Sequence, residues 1–403
     1  MPASFEWALA TYMAAMNIAF LFIAEAYQAY HGAAVAFELL QRPGVSVTFY
    51  YNDPEVPHHL ERIRRAYGVP PVAYVRLARS IKTKAVQAMR VFGLDKEAVL
   101  RSNEAQLALH DAVVSLEDTA EILFGDKPAP KRPARILIVH GAGDRYVPSM
   151  PRRARFDLII VQGEKMKQRF LDMGIARVGR ITAPGYPKLD TSRRLVAAAQ
   201  PLFANDRPIV LYNPHKVRGL QSWSSFIKPM LRDFAAQQDY NLIVAPHVKM
   251  FRRRSECARN RWRSRSTATI LIDPESDRSV DNSYTTAADI YVGDVSSQVY
   301  EFLAQPRPCV FLNPHKVDWG NDPHFKFWHL GEVIERPDEL MAAINRATEL
   351  HPAYLEKQRE LTRSSLGDTS AGAASRAASD ILAFLDKGAA AGAAGRSWSA
   401  SPY

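Results

Sequence analysis

The sequence predicts an α/β protein built from two doubly wound halves that face a common cleft. Three observations carry this. Apolar runs of strand length alternate along the chain with stretches at helical spacing. The alternation lapses over residues 191–207 and then restarts. The 403 residues suffice for two domains with sizeable cores.

The first half opens on Trp7 to Ala24, which carries no charge and reaches the lower range of a membrane span. Glu6 stands where a secretory signal would place basic residues. The run also divides. Asn17 to Ala24 has the length of a strand, Glu25 to Leu40 follows with Tyr27, Tyr30, Ala34, Phe37 and Leu40 at helical spacing, and Val45 to Tyr51 is a second strand. Strand, helix, strand is how a doubly wound domain begins. Residues 1–15 read as an N-terminal extension, with Met16 a candidate start.

Residues 53–68, 84–92 and Glu104 to Leu116 read as helices, and Lys127 to Pro133 as a proline-rich loop. Arg135–Val139, Asp157–Val161 and Arg177–Thr182 read as strands, with a helix from Glu164 to Met173 capped by Gly174. In the second half, strands are expected at Ile209–Tyr212, Asn241–Ala245, Thr269–Ile272, Asp289–Val292 and Cys309–Leu312. Helices are expected at Trp223–Ala236, Ser297–Ala304, Pro337–Leu350 and Pro352–Leu366, and a last one near Ala374–Leu385. The expected units are 16–195, 205–350, C-terminal helices over 351–387 and a flexible tail over 388–403.

Composition narrows the function. Two cysteines, Cys257 and Cys309, exclude a disulfide scaffold and a Cys-rich zinc module. A net charge of +10 favours polyanionic partners such as phosphates, anionic lipid or nucleic acid. Lys249 to Arg265 alone contributes +7 of it.

No Walker A, no GxGxxG after the first strand and no HExxH is present; Gly141-Ala-Gly143 is a lone GxG. The informative clusters sit at strand ends, where open α/β sheets bind ligands. His140-Gly-Ala-Gly-Asp-Arg145 places an imidazole, able to take a proton near neutrality, at the tip of a buried strand. Gly185-Tyr-Pro-Lys-Leu-Asp190 reads as a tight turn. Ala245-Pro-His247 puts a second His at a strand end. Asn213-Pro-His-Lys216 is echoed by Asn313-Pro-His-Lys316, either as common strand-ending turns or as two cleft-facing loops offering His and Lys to an anion. Finally, Asp294-Val-Ser296-Ser297 leads into a helix with Glu301 one turn on: hydroxyls and free N–H groups for an anion, then a carboxylate for a ribose diol.

In this order the clusters resemble the CDP-glycerol glycerophosphotransferases, the teichoic-acid primase and polymerase family. The likeness runs from about His140 to Phe311. It departs at Arg145 (Lys in the family), Ala142 (Thr), Lys188 (Arg), Asn213–Lys216 (Pro-Thr-x-Arg), Val248 (Pro) and Val295 (Tyr). The resemblance implies a GT-B fold of two Rossmann-like domains, the first binding acceptor, the second the nucleotide donor, with C-terminal helices crossing back to the first. It implies a cytoplasmic enzyme, peripheral at the inner face of the plasma membrane, that moves glycerol phosphate from CDP-glycerol to a hydroxyl of an envelope glycan or lipid and releases CMP. His140 and His247 would be catalytic, with His140 the base. Asp294, Ser296, Ser297, Glu301, Asn213, His215 and Lys216 would bind the donor. Gly141, Arg145, Gly185 and Lys188 would meet phosphate or acceptor. No cofactor and no obligatory metal is expected, since basic side chains and a helix dipole can balance a diphosphate.

Two rival readings stand beside this one. A sugar-nucleotide glycosyltransferase would share the fold. A non-enzymatic binder would use residues 249–265, with Phe251 and Trp262 interleaved among arginines for nucleic acid, or the basic surface for anionic membrane. A membrane-borne acceptor suits the second of these better than a specific nucleic acid.

Overall fold

The computed structural model describes residues 16–79, 94–127, 132–141, 149–251, 254–296 and 298–393. The expected extension 1–15, the helix at 84–92, residues 394–403 of the tail, Arg145 and Ser297 lie outside the described residues.

Two all-parallel sheets organise the chain. The first contains β1 (Met16–Phe22), β2 (Val45–Tyr51), β3 (Tyr74–Arg76), β4 (Ala112–Ser115), β5 (Ala134–Ile138), β6 (Leu158–Ile160) and β7 (Ile181–Thr182), in the order β3-β2-β1-β4-β5-β6-β7. The second contains β8 (Ile209–Asn213), β9 (Asn241–Val244), β10 (Ile270–Ile272), β11 (Ile290–Gly293), β12 (Cys309–Leu312) and β13 (Glu332–Ile334), in the order β10-β9-β8-β11-β12-β13. The first half carries α1 (Ala29–Leu40), α2 (Val56–Ala66), α3 (Leu94–Leu107), α4 (Glu164–Asp172) and α5 (Pro187–Ala197). The second carries α6 (Trp223–Ala236), α7 (Glu256–Arg263), α8 (Ser283–Ala287) and α9 (Gln298–Phe302), followed by the long α10 (Leu340–Leu366) and α11 (Ala373–Ala393).

The strands are apolar throughout because both faces of each sheet are covered. In β1, Ile18, Phe20 and Phe22 enter one core, while Ala19 and Leu21 enter the core on the opposite face. In β11, Ile290 and Val292 divide from Tyr291 in the same way. Each sheet reverses its winding once, between β1 and β4 and between β8 and β11. Crevices at the carboxyl ends of such strand pairs are where this architecture takes ligands.

The structure corrects several expected elements. Glu104 to Leu116 is not one helix: α3 ends at Leu107, and Val113 and Val114 lie in β4, paired with Ala19 and Phe20. Two β-branched residues that fit a helical face are taken by the sheet, where they pack on both sides. β3 and β13, both three residues long, were not anticipated. Pro352 does not separate two helices but lies inside α10. The turn after it is held from outside, since Gln358 donates to the carbonyls of Arg307 and Leu330, and Thr362 to that of Leu303. At the C-terminus α11 runs to Ala393, so residues 388–393 are helix rather than tail, as their alanine content favours.

α10 and α11 return the chain to the first half. Ala374, Ala377, Ala378, Ile381 and Leu385 form a helical stripe buried in the core beside α1. Asp190 anchors the return, accepting the backbone N–H groups of Gly372 (3.0 Å) and Ala374 (2.8 Å) at the start of α11. Gly185, expected at phosphate or acceptor, serves this crossing instead. Its φ is +103°, and a Cβ there would lie 2.8 Å from the carbonyl oxygen of Asp368.

Candidate functional site

The two halves meet through loops at the carboxyl ends of their strands. Glu25, after β1, pairs with Lys249, after β9, at 3.0 Å. Asp277, after β10, meets His58 at 2.7 Å and Arg62 at 3.2 Å, both from α2, and Arg62 also reaches the fully buried Asp281 at 2.8 Å. Among the described residues, His58, His59 and Asp277 are the group whose ligand atoms lie close enough to share an ion. Arg62 already supplies positive charge to the same carboxylate, so the arrangement is an ion-pair lock between the halves.

His140 stands just past β5, exposed at the cleft. Its Nδ1 lies 2.8 Å from the carbonyl oxygen of Leu116, which follows β4. A carbonyl only accepts, so Nδ1 carries the proton and Nε2 keeps its lone pair. That is the tautomer a general base needs.

His247 and His215 face each other at 6.0 Å between ring centroids, nearly perpendicular. Nδ1 of His247 accepts the N–H of Lys249, and Nδ1 of His215 accepts that of Val217. Both neutral rings therefore carry their proton on Nε2. Burial, then Lys216, His215 and Lys249, push His247 down to about 4. His247 thus offers a neutral N–H, not a positive charge, near pH 7. Lys216, exposed beside the pair, carries the charge.

A depressed histidine binds fewer protons folded than unfolded, so stability rises with pH between about 4 and 6.5 and falls as acid enters that window. With His247 only partly exposed, about 2 kcal/mol is expected across it. His247→Asn should flatten this rise, read as urea unfolding free energy at pH 4.5 and 7. An unchanged pH dependence would contradict the assignment.

Three residues expected to touch donor are buried organisers. Asp294, fully buried, accepts the backbone N–H groups of His215 (2.7 Å) and Ser222 (3.0 Å), tying β11 to the β8 loop across the winding reversal. Burial raises it to about 7, against those two N–H groups. Asn213 is likewise buried, donating to the carbonyl of Ala245 and accepting from Tyr291. Ser296 accepts the N–H of Gln298, the first residue of α9. At five residues α9 is too short for the macrodipole expected of it, so an anion there would depend on N–H and hydroxyl groups.

Lys188 is also not free for phosphate. Only 5% exposed, it lies 2.8 Å from Oε1 of Glu301, which also accepts the Tyr186 hydroxyl at 3.0 Å. Glu301 Oε2 is buried with no hydrogen-bond partner among the described residues. Gly141 turns the chain after His140 with φ of +80°. Gly185-Tyr-Pro-Lys-Leu-Asp190, read as a turn, is therefore an interdomain clamp that opens α5 with Pro187 in the first turn. Tyr186 belongs to this motif, but nothing in the sequence distinguishes it from an ordinary turn residue. His31, next to His140, went unnoticed; a lone histidine among the alanines of α1 was its one trace.

The basic segment 249–265 is compensated in part. Lys249 pairs with Glu25, Arg259 with Glu256 and Glu275, and Arg263 with Glu256. Phe251 is buried and Trp262 packs on Trp223, so neither is presented for base stacking. No helix among the described residues is long and apolar enough to cross a membrane.

Two Rossmann-like halves, facing strand ends and returning C-terminal helices define a GT-B enzyme. The chain belongs to the CDP-glycerol:poly(glycerophosphate) glycerophosphotransferase family, whose sequence profile matches residues 145–382. As a member, it transfers glycerophosphate from CDP-glycerol. Among solved structures it is similar to the wall teichoic acid polymerase TagF, at 14% identity and a TM-score of 0.61, covering 93% of this chain and 90% of that one. It is equally similar to the UDP-GlcNAc 2-epimerase of Neisseria meningitidis bound to UDP-GlcNAc, at 12% identity and a TM-score of 0.60, covering 92% of this chain and 100% of that one. At these identities the likeness is one of fold. No curated protein matches the chain by sequence.

Proposed function

We propose that the chain extends a poly(glycerophosphate) or related envelope polymer, with the terminal hydroxyl of a glycan- or lipid-borne acceptor as nucleophile. The observation that carries this is the His140 tautomer, whose bare Nε2 points to base chemistry at the cleft. The acceptor oxygen attacks the β-phosphorus of CDP-glycerol and its proton passes to Nε2. A new P–O bond forms, the bond from that phosphorus to the bridging oxygen breaks, and the electron pair leaves with CMP. The Nε2–H groups of His215 and His247 and the ammonium of Lys216 face the diphosphate, which supports transfer without a metal ion. Glu301 Oε2 takes a ribose hydroxyl, the role its missing partner supports. Arg145 and Ser297 keep the phosphate roles their motifs suggest. The acceptor, being membrane-borne, places the enzyme at the inner face of the membrane. There Arg254 and Arg261, which no acidic neighbour among the described residues pairs, contribute the anionic-lipid contact.

The test is a donor screen with poly(glycerophosphate) oligomers as acceptor. CMP release from CDP-glycerol, with chain growth by mass spectrometry, is expected. A TagF variant has been solved with CDPG, at 13% identity to this chain, and the epimerase with UDP-GlcNAc, so both donors belong in the screen. UDP release from UDP-GlcNAc, with CDP-glycerol inert, would overturn the proposal.

A further inference from the structure

Behind His140 lies a buried hydrogen-bonded chain that ends on Glu301. His31 projects from the first turn of α1, 8% exposed, with its ring centroid 5.9 Å from that of His140 and the planes at 65°. Close packing puts it there: at Gly32 a Cβ would lie 2.4 Å from Leu116 Cδ2, so glycine lets α1 approach the residue whose carbonyl orients His140 without displacing the Leu116 side chain. His31 Nδ1 lies 3.0 Å from the Tyr186 hydroxyl, which is 3.0 Å from Glu301 Oε1, with Lys188 2.8 Å from the same oxygen.

Proton counting fixes the direction of each bond. Tyr186 has one hydroxyl proton, and it goes to the Glu301 carboxylate. The phenol oxygen then accepts from His31 Nδ1–H. Every donor in the chain points toward Glu301. Burial, followed by the charges of Lys188 and His140, holds His31 well below the usual histidine range, so it remains neutral when His140 gains a proton. Burial and Glu301 likewise keep the Tyr186 phenol protonated. Within that chain His31 and Tyr186 are fixed, uncharged groups that do not compete for the proton His140 takes. The chain also spans both halves, from α1 through the start of α5 to α9.

We propose that His31 and Tyr186 are positioning residues for the transfer. Through the ring contact of His31 with His140, they hold the base in register with the donor-side helix α9 and its Glu301. This rests on His140 being the base. It adds that the base is set by a network reaching across the domain boundary, so that the acceptor and donor halves share one reference point.

The experiment measures steady-state CMP release from CDP-glycerol with poly(glycerophosphate) oligomers, for the full chain and four variants. Tyr186→Phe keeps the ring and deletes the hydroxyl. His31→Leu deletes the donor, while His31→Asn keeps an N–H near the Nδ1 position. His140→Ala serves as the reference. Small misplacement of a reacting group costs on the order of 100-fold. The expected result is a kcat lowered roughly 10- to 100-fold in Tyr186→Phe and His31→Leu, with the donor KM moving less than about 3-fold. His31→Asn should recover most of the loss, which a merely space-filling role would not produce. Wild-type kcat in Tyr186→Phe, or His31→Asn no better than His31→Leu, overturns the inference. Should His31→Leu not fold, Tyr186→Phe alone decides. Full turnover in His140→Ala would sink the base assignment itself. A dead His140→Ala beside unimpaired Tyr186→Phe and His31→Leu would sink only the positioning role.

Discussion

His140→Ala lowers kcat on the order of 1000-fold while CDP-glycerol still binds with nearly unchanged Kd. A positioned general base contributes about 100- to 10,000-fold, and His140 is exposed at the cleft with its Nε2 bare. His215 and His247 have their Nδ1 atoms committed to backbone N–H groups and present protons outward. His31 is buried and held by Tyr186. The variant should fold normally, because His140 is exposed and its hydrogen bond among the described residues, to the Leu116 carbonyl, is worth about 1 kcal/mol. Single-turnover CMP release and calorimetric donor binding separate the two effects. Retained turnover would remove His140 from the mechanism. Lost binding would reassign it to the donor site.

The fold was legible because its evidence is local. Nearly every strand of the two sheets is a short apolar run, and the restart near Ile209 marks the second sheet. What escaped were elements whose identity is decided at a distance. Val113 and Val114 suit a helix by spacing and become strand only because β1 and β5 lie on either side. Pro352 would end an isolated helix, yet α10 continues because α10's neighbours hold its side chains.

The candidate site divides along the same line. Strand-end histidines were visible since topology alone brings them to the cleft. Asp294, Asn213, Gly185 and Lys188 were assigned to ligands because sequence cannot distinguish a polar residue facing solvent from one buried against another polar residue. Lys188 illustrates the difficulty: its partner Glu301 lies more than a hundred positions away, and each looked like a free charge until the two were seen together. The same distance hid His31, whose meaning depends on Tyr186.

Lys188→Met carries the largest expected stability effect, about 3–5 kcal/mol, the usual cost of stripping one partner from a buried ion pair. Lys188 and Glu301 have side chains 7% and 9% exposed, and their contact joins α5 to α9. Without the ammonium, Glu301 retains the Tyr186 hydroxyl but lies buried as an uncompensated carboxylate. Its pKa in the folded variant then rises above the unfolded value. A group of that kind favours folding when protonated, so the variant should recover stability as pH falls toward 5 and lose it as pH rises toward 8. Adding Glu301→Gln to Lys188→Met removes the buried charge and should restore much of the loss at pH 8, although each single change destabilises. Urea unfolding of the two single variants and the double variant at pH 5 and 8 reads this coupling directly. A loss independent of pH, or a double variant no better than Lys188→Met, would mean that the contact is packing rather than charge. The same set separates clamp from donor site. Lys188→Met keeps the Glu301 oxygen that faces no partner, so its donor affinity should fall less than that of Glu301→Gln when both are measured on folded protein at pH 7.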